Sequence, residues 1–266
     1  MTRETITSRD NSLLRQARSV RDGKVAELIF IEGLRLAEEA LRSKLEIEVV
    51  IVSQELAQKE KAQTLINDLT QVSKRNESVS EKLLESISYT KTPQGIVVLA
   101  SRPETSGEHF VTNHREPSLI VIMHRISNPV NVGAILRTAE AAGATGVIAT
   151  QNTCDPLSPK SLRGAMGSAF RLPVWFGPTY DDALAWCRDR GIQTICADVH
   201  ATTGYDQVDW QRPSALILGP ESSGLSREEI SVANEAVRIP MRGPAESLNV
   251  AVATGVLLYE AARQRT

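Results

Sequence analysis

The chain has few of the residues that build metal centres and disulfide frameworks. Its 266 residues include three cysteines and four histidines. Cys154, Cys187 and Cys196 show no Cys-x-x-Cys spacing, and the histidines show no spacing typical of metal ligands. We therefore expect neither a bound metal nor a disulfide framework. This cysteine usage favours a reducing cytoplasm as the compartment.

Long apolar runs are also absent. No stretch approaches the ~18 apolar residues that a membrane-spanning helix requires. The first residues, Met1–Ile6, lack the apolar core of a secretory signal. With 41% hydrophobic and 23% charged residues, the composition argues against a low-complexity or disordered chain. The sequence therefore predicts a soluble cytoplasmic protein with one large domain or two ordinary ones.

The common nucleotide-binding and hydrolase motifs are missing as well. The sequence has no Gly-x-Gly-x-x-Gly, no P-loop ending in Gly-Lys-Ser/Thr and no Gly-x-Ser-x-Gly elbow. These absences argue against a dinucleotide-binding Rossmann site, a P-loop nucleotidase and a serine hydrolase. A functional site in this chain must therefore use backbone amides, carboxamides, hydroxyls and an arginine.

A large positive charge, which is expected of a nucleic-acid-binding protein, is not present. The formal net charge is −2, but the distribution of charge matters more than its total. Residues 1–24 carry six basic and three acidic side chains, and residues 152–172 carry three basic and one acidic. These stretches are either solvated helix faces or RNA-binding patches. The candidate RNA contacts are Arg9, Arg15, Arg18, Lys160 and Arg163.

A polar segment divides the chain. Residues 101–117 contain two prolines and a glycine and show no sustained periodicity, which is typical of a linker. We predict a smaller N-terminal α/β/α domain over residues 1–101, a linker over 102–117 and a second domain over 118–266. In the second domain strands alternate with helices, which predicts a parallel sheet covered on both sides.

Hydrophobic periodicity, capping residues and turn residues predict the individual elements. In the first domain we expect helices over 12–21, 34–41, 55–69 and 81–87, and strands over 28–31, 49–52 and 96–99. In the second domain we expect strands over 119–123, 147–149, 194–197 and 216–218, and helices over 131–142, 181–190, 227–234 and 248–263.

Three stretches of the second domain, 128–139, 219–226 and 239–251, place small and hydrogen-bonding residues between a strand-like run and a helix-like run. Such junctions present backbone amides on a rigid frame, where ligands bind in α/β domains. In this order they resemble the three motifs of the SpoU (TrmH-type) RNA 2′-O-ribose methyltransferases, a branch of the knotted SPOUT superfamily. Residues 155–168 extend the resemblance. Residues 8–15 and 31–35 resemble the RNA substrate-binding domain that precedes many SpoU catalytic domains.

The resemblance implies an enzyme that uses S-adenosyl-L-methionine to methylate a ribose 2′-OH. Transfer-RNA enzymes of this kind usually carry short basic extensions, so the globular N-terminal domain favours 23S ribosomal RNA as the substrate. A transfer-RNA methyltransferase and a non-catalytic RNA-binding or ribosome-assembly factor of the same fold are the alternatives. The resemblance further implies a trefoil knot in the C-terminal domain.

A homodimer through the C-terminal domain is also implied. The final helix has apolar or small residues on adjoining positions, and the alternative is that this helix is buried within its own domain. The residues concerned are Val250, Ala253, Thr254, Leu257, Leu258 and Ala261.

The resemblance also assigns roles to residues of the three junctions. Arg137 matches the essential catalytic arginine of the family, either as the acceptor of the 2′-OH proton or as a phosphate anchor. From spacing alone, a surface salt bridge is the structural alternative for this residue. Free guanidinium is a very poor base at neutral pH, whereas its rigid fork of donors suits phosphate. The other candidate catalytic residues are Asn131, Glu221, Ser247 and Asn249. The candidate cofactor-binding residues are Leu218, Gly219, Pro220, Gly224, Ile239, Met241, Ser247 and Leu248.

Two departures from the family pattern stand out. Many members carry Asn-Glu-Gly where this chain has Pro220-Glu221-Ser222, and relatives often place an acid near His124. Pro220 removes an amide donor, and Ser222 stiffens the turn.

Overall fold

The computed structural model describes residues 6–108, 110 and 117–266 and divides the chain into two compact units. The first unit runs to Pro103 and includes Leu157–Phe170; the second consists of Glu104–Pro156 and Arg171–Thr266. Within the predicted linker 102–117, residues 109 and 111–116 lie outside the described residues.

The first unit contains a mixed four-stranded sheet. Its strands are β1 (Leu28–Glu32), β2 (Ile47–Ser53), β3 (Arg75–Val79) and β4 (Ile96–Ser101). In the order β1-β4-β2-β3, β4 is antiparallel to both of its neighbours, and β2 is parallel to β3. The accompanying helices are α1 (Ser12–Arg21), α2 (Leu34–Arg42), α3 (Gln54–Ala57), α4 (Glu60–Val72) and α5 (Glu81–Ile87).

Helix α1 shows how the sequence builds this unit. Asn11 caps the helix by accepting a hydrogen bond from the amide of Leu13 at 2.9 Å. The apolar residues of α1 recur on one face, which is buried in the same core as Phe30 of β1 and Ile51 of β2. The helix predicted over 12–21 is therefore confirmed.

The second unit contains a seven-stranded sheet in which every pairing is parallel, as predicted. Its strands are β5 (Leu119–Met123), β6 (Gly146–Ala149), β7 (Val174–Phe176), β8 (Gln193–Ala197), β9 (Thr203–Gly204), β10 (Ser214–Leu218) and β11 (Glu235–Arg238). Their order is β7-β6-β5-β10-β8-β11-β9. The helices after residue 118 are α6 (Pro129–Ala141), α7 (Pro159–Ala165), α8 (Ser168–Arg171), α9 (Tyr180–Asp189), α10 (Arg227–Ser231) and α11 (Val250–Arg265).

The sheet order creates a switch point between β5 and β10. From β5 the chain continues outward through β6 and β7, whereas β10 leads to β11 on the opposite side. Met123 and Leu218, the last residues of β5 and β10, are register partners. The loops after these strands therefore leave the same edge of the sheet, at the kind of crevice in which α/β sheets bind ligands.

Helix α7 belongs to the first unit although it follows β6 in the chain. It packs against β1, which is an edge strand of the four-stranded sheet. Leu162 and Ala165 of α7 are fully buried. The first unit is thus assembled from two separate stretches of the chain.

Several predicted boundaries are wrong. The single helix expected over 55–69 is two helices, because Lys59 adopts an extended conformation between α3 and α4. The helix expected over 227–234 ends at Ser231, and the chain then enters β11, which pairs with β8. The helix expected from Asn131 begins at Pro129, with Asn128 as its cap. No helix in the described part of the chain is long and apolar enough to span a membrane.

Candidate active site

A chain of hydrogen bonds joins the three junctions that the sequence singled out. Asn131 Nδ2 donates to Glu221 Oε1 at 3.1 Å, and Asn249 Nδ2 donates to Asn131 Oδ1 at 3.2 Å. Asn249 Oδ1 in turn accepts from the amide of Ala251 at 2.9 Å. Each junction thus contributes one side chain, and the structure brings together three of the five predicted catalytic residues.

The carboxylate of Glu221 determines which groups donate and which accept in this series of hydrogen bonds. It also accepts from the backbone amides of Ser127 at 3.3 Å and Asn128 at 3.2 Å. Burial raises the pKa of Glu221, but the hydrogen bonds from Asn131 and from backbone amides outweigh burial and leave the pKa below its ordinary value. The ionised carboxylate only accepts hydrogen bonds, so Asn131 must donate to it and present its own oxygen to Asn249.

Local sequence places the two asparagines. Asn131 lies in the first turn of α6, which Asn128 caps through the amide of Val130 and which has proline at its first position. Asn249 is the cap of α11. The two helices pack together, and a Cβ at Gly255 of α11 would lie 3.8 Å from Thr138 of α6. Gly255 therefore permits a close approach of α11 to α6.

Arg137 and Ser247 lie apart from this hydrogen-bonded chain. Both side chains are exposed, and neither forms a hydrogen bond or ion pair with any residue that the structure describes. The structural alternative for Arg137, a surface salt bridge, is thus not seen among the described residues. The guanidinium is accessible to an external ligand.

The predicted cofactor-binding residues occupy two irregular loops after β10 and β11. Leu218 is buried at the end of β10, while Gly219 and Pro220 are half-buried and Gly224 is exposed. In the second loop Ile239 and Met241 are half-buried, and Leu248 is exposed. The two loops therefore combine accessible backbone with apolar side chains.

A second polar cluster beside the first was not predicted as a site. Glu229 Oε1 accepts from Arg125 Nη2 at 2.6 Å and lies 3.1 Å from His124 Nε2. The sequence pattern Ser226-x-x-Glu229 is that of a capping box and could have identified Glu229 as a structured residue. Its pairing with residues more than one hundred positions earlier had no local signal.

The five predicted RNA-binding residues all lie in the first compact unit, Arg9, Arg15 and Arg18 before or within α1 and Lys160 and Arg163 in α7. All but Arg18 are exposed. The half-buried Arg18 donates from Nη2 to the backbone carbonyl of Arg9 at 2.8 Å. Within residues 6–108, 110 and 117–266, no group of three or more His, Cys, Asp or Glu side chains could hold a metal ion.

The second unit is thus a parallel α/β structure with joined polar loops at a switch point, the arrangement of a ligand-binding α/β enzyme. Residues 118–259 match the SpoU rRNA methylase family, and residues 30–106 match the RNA 2′-O ribose methyltransferase substrate-binding family. The chain belongs to the SpoU family of RNA 2′-O-ribose methyltransferases.

Similar proteins span almost the whole chain. An uncharacterised tRNA/rRNA methyltransferase of Synechocystis is 33% identical over 98% of this chain and 94% of its own length. The 23S rRNA (uridine(2479)-2′-O)-methyltransferase of Streptomyces viridochromogenes is 34% identical over 69% of this chain and 65% of its own. The structure of an AdoMet-bound rRNA methyltransferase from Sinorhizobium meliloti superposes with a TM-score of 0.86 at 29% identity, covering 98% of this chain and 97% of that one.

Proposed function

We propose that the protein transfers the methyl group of S-adenosyl-L-methionine to a ribose 2′-OH of 23S ribosomal RNA. The observation that carries the proposal is the hydrogen-bonded chain Asn249–Asn131–Glu221, which joins all three junctions at the switch point. The similarity to a Streptomyces 23S rRNA methyltransferase supports ribosomal RNA as the substrate.

The loops after β10 and β11 suit the cofactor. A Cβ at Gly219 would lie 2.8 Å from the amide nitrogen of Leu225 and 3.0 Å from the carbonyl carbon of Gly224, so the 219–226 loop folds tightly over a position that only glycine fits. Ile239, Met241 and Leu248 offer apolar contact to an adenine ring. The cofactor supplies an already activated methyl group; the chain's own residues need to align the hydroxyl, exclude water and accept a proton.

Gly219→Ala is expected to weaken the binding of S-adenosylmethionine roughly 5- to 150-fold, because overpacking a tight loop costs about 1–3 kcal/mol. Gly255→Ala is the matched control: Gly255 lies in α11, outside both loops, and a Cβ there would meet Thr138 only at an ordinary van der Waals distance of 3.8 Å. Titration calorimetry of both variants measures the effect. Equal dissociation constants for the two would contradict the assignment of the 219–226 loop to the cofactor.

For Arg137 we propose contact with the RNA at the target ribose. The guanidinium is exposed and has no hydrogen-bond or ion-pair partner among the described residues, so it can bind RNA without breaking an existing contact. Its planar fork binds phosphate oxygens in pairs, which would hold the target nucleotide beside the joined loops.

We assign RNA binding to the N-terminal domain, residues 1–101, and catalysis to residues 118–266, joined by the linker 102–117. The substrate-binding family match over residues 30–106 supports the first part. Arg9, Arg15 and Arg18, in or before α1, support a surface for the phosphate backbone on this domain, because phosphate contacts give most of the affinity for RNA. Lys160 and Arg163 lie in α7, outside residues 1–101 but packed on β1 in the same compact unit, and we assign them the same role.

The substrate assignment is tested by mapping 2′-O-methyl groups in ribosomal and transfer RNA from a deletion strain, using primer extension at low nucleotide concentration. We expect one methyl mark to disappear from 23S RNA and to return when purified enzyme and S-adenosylmethionine are added. An intact ribosomal pattern with one lost transfer-RNA mark would instead identify a transfer-RNA enzyme.

Calorimetry separates catalysis from an RNA-binding role alone. A dissociation constant in the micromolar range for S-adenosylmethionine is expected of the enzyme. A folded protein that does not bind the cofactor up to millimolar concentration would support a ribosome-assembly factor of the same fold.

The proposal includes a trefoil knot, in which residues 239–249 pass through an earlier loop of the C-terminal domain. Two sets of contacts support it. Asn249 joins the third junction to Asn131 of the first, and Glu221 joins the second junction to residues 127–128, so the three junctions lie close together.

A homodimer through α11 is also proposed. Four of the apolar or small residues expected at the interface, Thr254, Leu257, Leu258 and Ala261, are buried within the subunit, so they do not form it. Val252 and Tyr259, seven residues apart and therefore on one helix face, are 54% and 56% exposed. They support a self-complementary interface on this side of α11.

Light scattering at micromolar concentration is expected to give twice the mass of the chain. The double variant Val252→Glu/Tyr259→Glu is expected to give a monomer, while Val199→Glu, which alters a similarly exposed valine elsewhere in the unit, remains dimeric. A wild-type monomer with full activity would show that the dimer is dispensable.

A further inference from the structure

Glu229 makes two sets of contacts, one with a neighbouring residue in the chain and one with residues more than one hundred positions earlier. Its Oε2 accepts from the amide of Ser226 at 2.8 Å, and its own amide donates to Ser226 Oγ at 3.2 Å. These two hydrogen bonds form the capping box of α10. Its Oε1 takes no part in the capping box and faces His124 and Arg125, immediately after β5.

The His124 side chain is buried and contacts three other side chains, those of Thr150, Tyr180 and Glu229. It is 6% exposed, its Nδ1 lies 2.9 Å from Thr150 Oγ1, and its ring centroid lies 4.4 Å from that of Tyr180. The Tyr180 hydroxyl donates to the backbone carbonyl of Glu229 at 3.1 Å. Burial lowers the pKa of His124 more than the hydrogen bond to Glu229 raises it. The ring is therefore neutral near pH 7, with the proton on Nε2, because the carboxylate can only accept.

Arg125 completes the cluster. Its backbone has a φ of +54°, in the left-handed region that residues other than glycine rarely adopt. This conformation accompanies the 2.6 Å contact between its guanidinium and Glu229 Oε1. His124 and Arg125 thus both point toward one carboxylate oxygen.

The 219–226 loop is consequently fastened at both ends to the residues that follow β5. At one end Glu221 binds the amides of Ser127 and Asn128; at the other, Ser226 is tied through Glu229 to His124 and Arg125. Between the two ends, residues 222–224 are exposed. The conformation of the loop therefore depends on its two anchors.

We propose that Glu229, with His124 and Arg125, is a positioning residue that holds the 219–226 loop in the conformation that binds the cofactor. This inference rests on the proposed function in its assignment of that loop to S-adenosylmethionine. The three residues act through the loop and need not touch the cofactor themselves.

Glu229→Gln tests the inference, because the glutamine oxygen can still accept from Ser226 while its amide group cannot accept from His124 or Arg125. Asp182→Asn is the matched control: Asp182 is the acid of the capping box of α9, with Thr179 as its partner, and has no second anchor of this kind among the residues that the structure describes. We expect the dissociation constant for S-adenosylmethionine to rise at least about tenfold in E229Q, since small displacements of binding groups have large effects, and to be unchanged in D182N. His124→Gln, which keeps a donor, should retain more affinity than His124→Ala.

Hydrogen exchange without cofactor provides a second measurement that does not depend on the proposed function. The amides of residues 221–226 are expected to exchange faster in E229Q than in the wild type and at the wild-type rate in D182N. Unchanged exchange in E229Q would overturn the inference even if the protein binds S-adenosylmethionine. If E229Q exchanges faster than the wild type but the wild type does not bind S-adenosylmethionine, the anchor is supported and the proposed function is rejected. Equal losses of affinity in E229Q and D182N would reduce the role of Glu229 to helix capping and contradict the inference.

Discussion

Replacing Arg137 with alanine is expected to lower the rate of RNA methylation at least about 100-fold while leaving the affinity for S-adenosylmethionine nearly unchanged. A positioned group that assists proton transfer contributes about 10²–10⁴-fold to a rate, and Arg137 is exposed on α6 without a partner among the described residues. Because the exposed side chain makes no hydrogen bond or ion pair with a described residue, its removal should alter catalysis and RNA positioning without unfolding the domain. Single-turnover methylation and calorimetry measure the two effects separately.

Two further variants sharpen this prediction. Arg137→Lys keeps the positive charge but loses the paired donors of the guanidinium. If this variant binds RNA as the wild type does but methylates it as slowly as R137A, Arg137 acts in the methylation step as well as in phosphate binding. Arg188→Ala, at an exposed arginine of α9, is the control for the general loss of a surface charge. If R137A methylates RNA at the wild-type rate, the catalytic assignment of Arg137 is wrong.

Most of the parallel sheet, and the loops that form the candidate site, could be predicted from the sequence, because both have local signals. The continuous apolar run of β5 and the turn residues after it are enough to predict a buried strand followed by a ligand-binding junction. Strand β3 was missed for the converse reason: Arg75-Asn76-Glu77-Ser78-Val79 lies at a sheet edge and has one apolar residue. The two-residue β9 had no detectable pattern at all.

The contacts within the site had no such signal. Asn131 and Glu221 are 90 residues apart in the chain, and Asn249 and Asn131 are 118 apart. Their residue types indicated hydrogen bonding, but only the sheet order brings the loops together. The same holds for α7, whose packing on β1 depends on tertiary contacts that no periodicity encodes.

Asn131→Asp is expected to give the second large effect, a loss of activity that is greater at high pH than at low pH. The substitution places a second carboxylate about 3 Å from that of Glu221, at a position that is 8% exposed in the wild type. Two carboxylates this close cannot both ionise without strong repulsion, so the pKa of one of them rises. Above that raised pKa both are charged and the loops separate; below it one proton bridges them and the hydrogen bond returns. We therefore expect kcat/KM to fall at least about tenfold at pH 8, an effect of about 1.4 kcal/mol, and the deficit to narrow as the pH falls to 6.

Asn131→Ala separates the charge effect from the loss of the hydrogen bond, because its deficit should not change over the same pH range. The double variant Asn131→Asp/Glu221→Gln should recover part of the activity at pH 8, since glutamine can donate to the new carboxylate. Recovery is expected to be incomplete, because Glu221 Oε1 also accepts from the amide of Asn128, and an amide nitrogen in that place cannot. The pH dependence of kcat/KM for the three variants and the wild type is the measurement. A pH-independent deficit in N131D, equal to that of N131A, would show that the hydrogen bond between Asn131 and Glu221 does not hold the loops together.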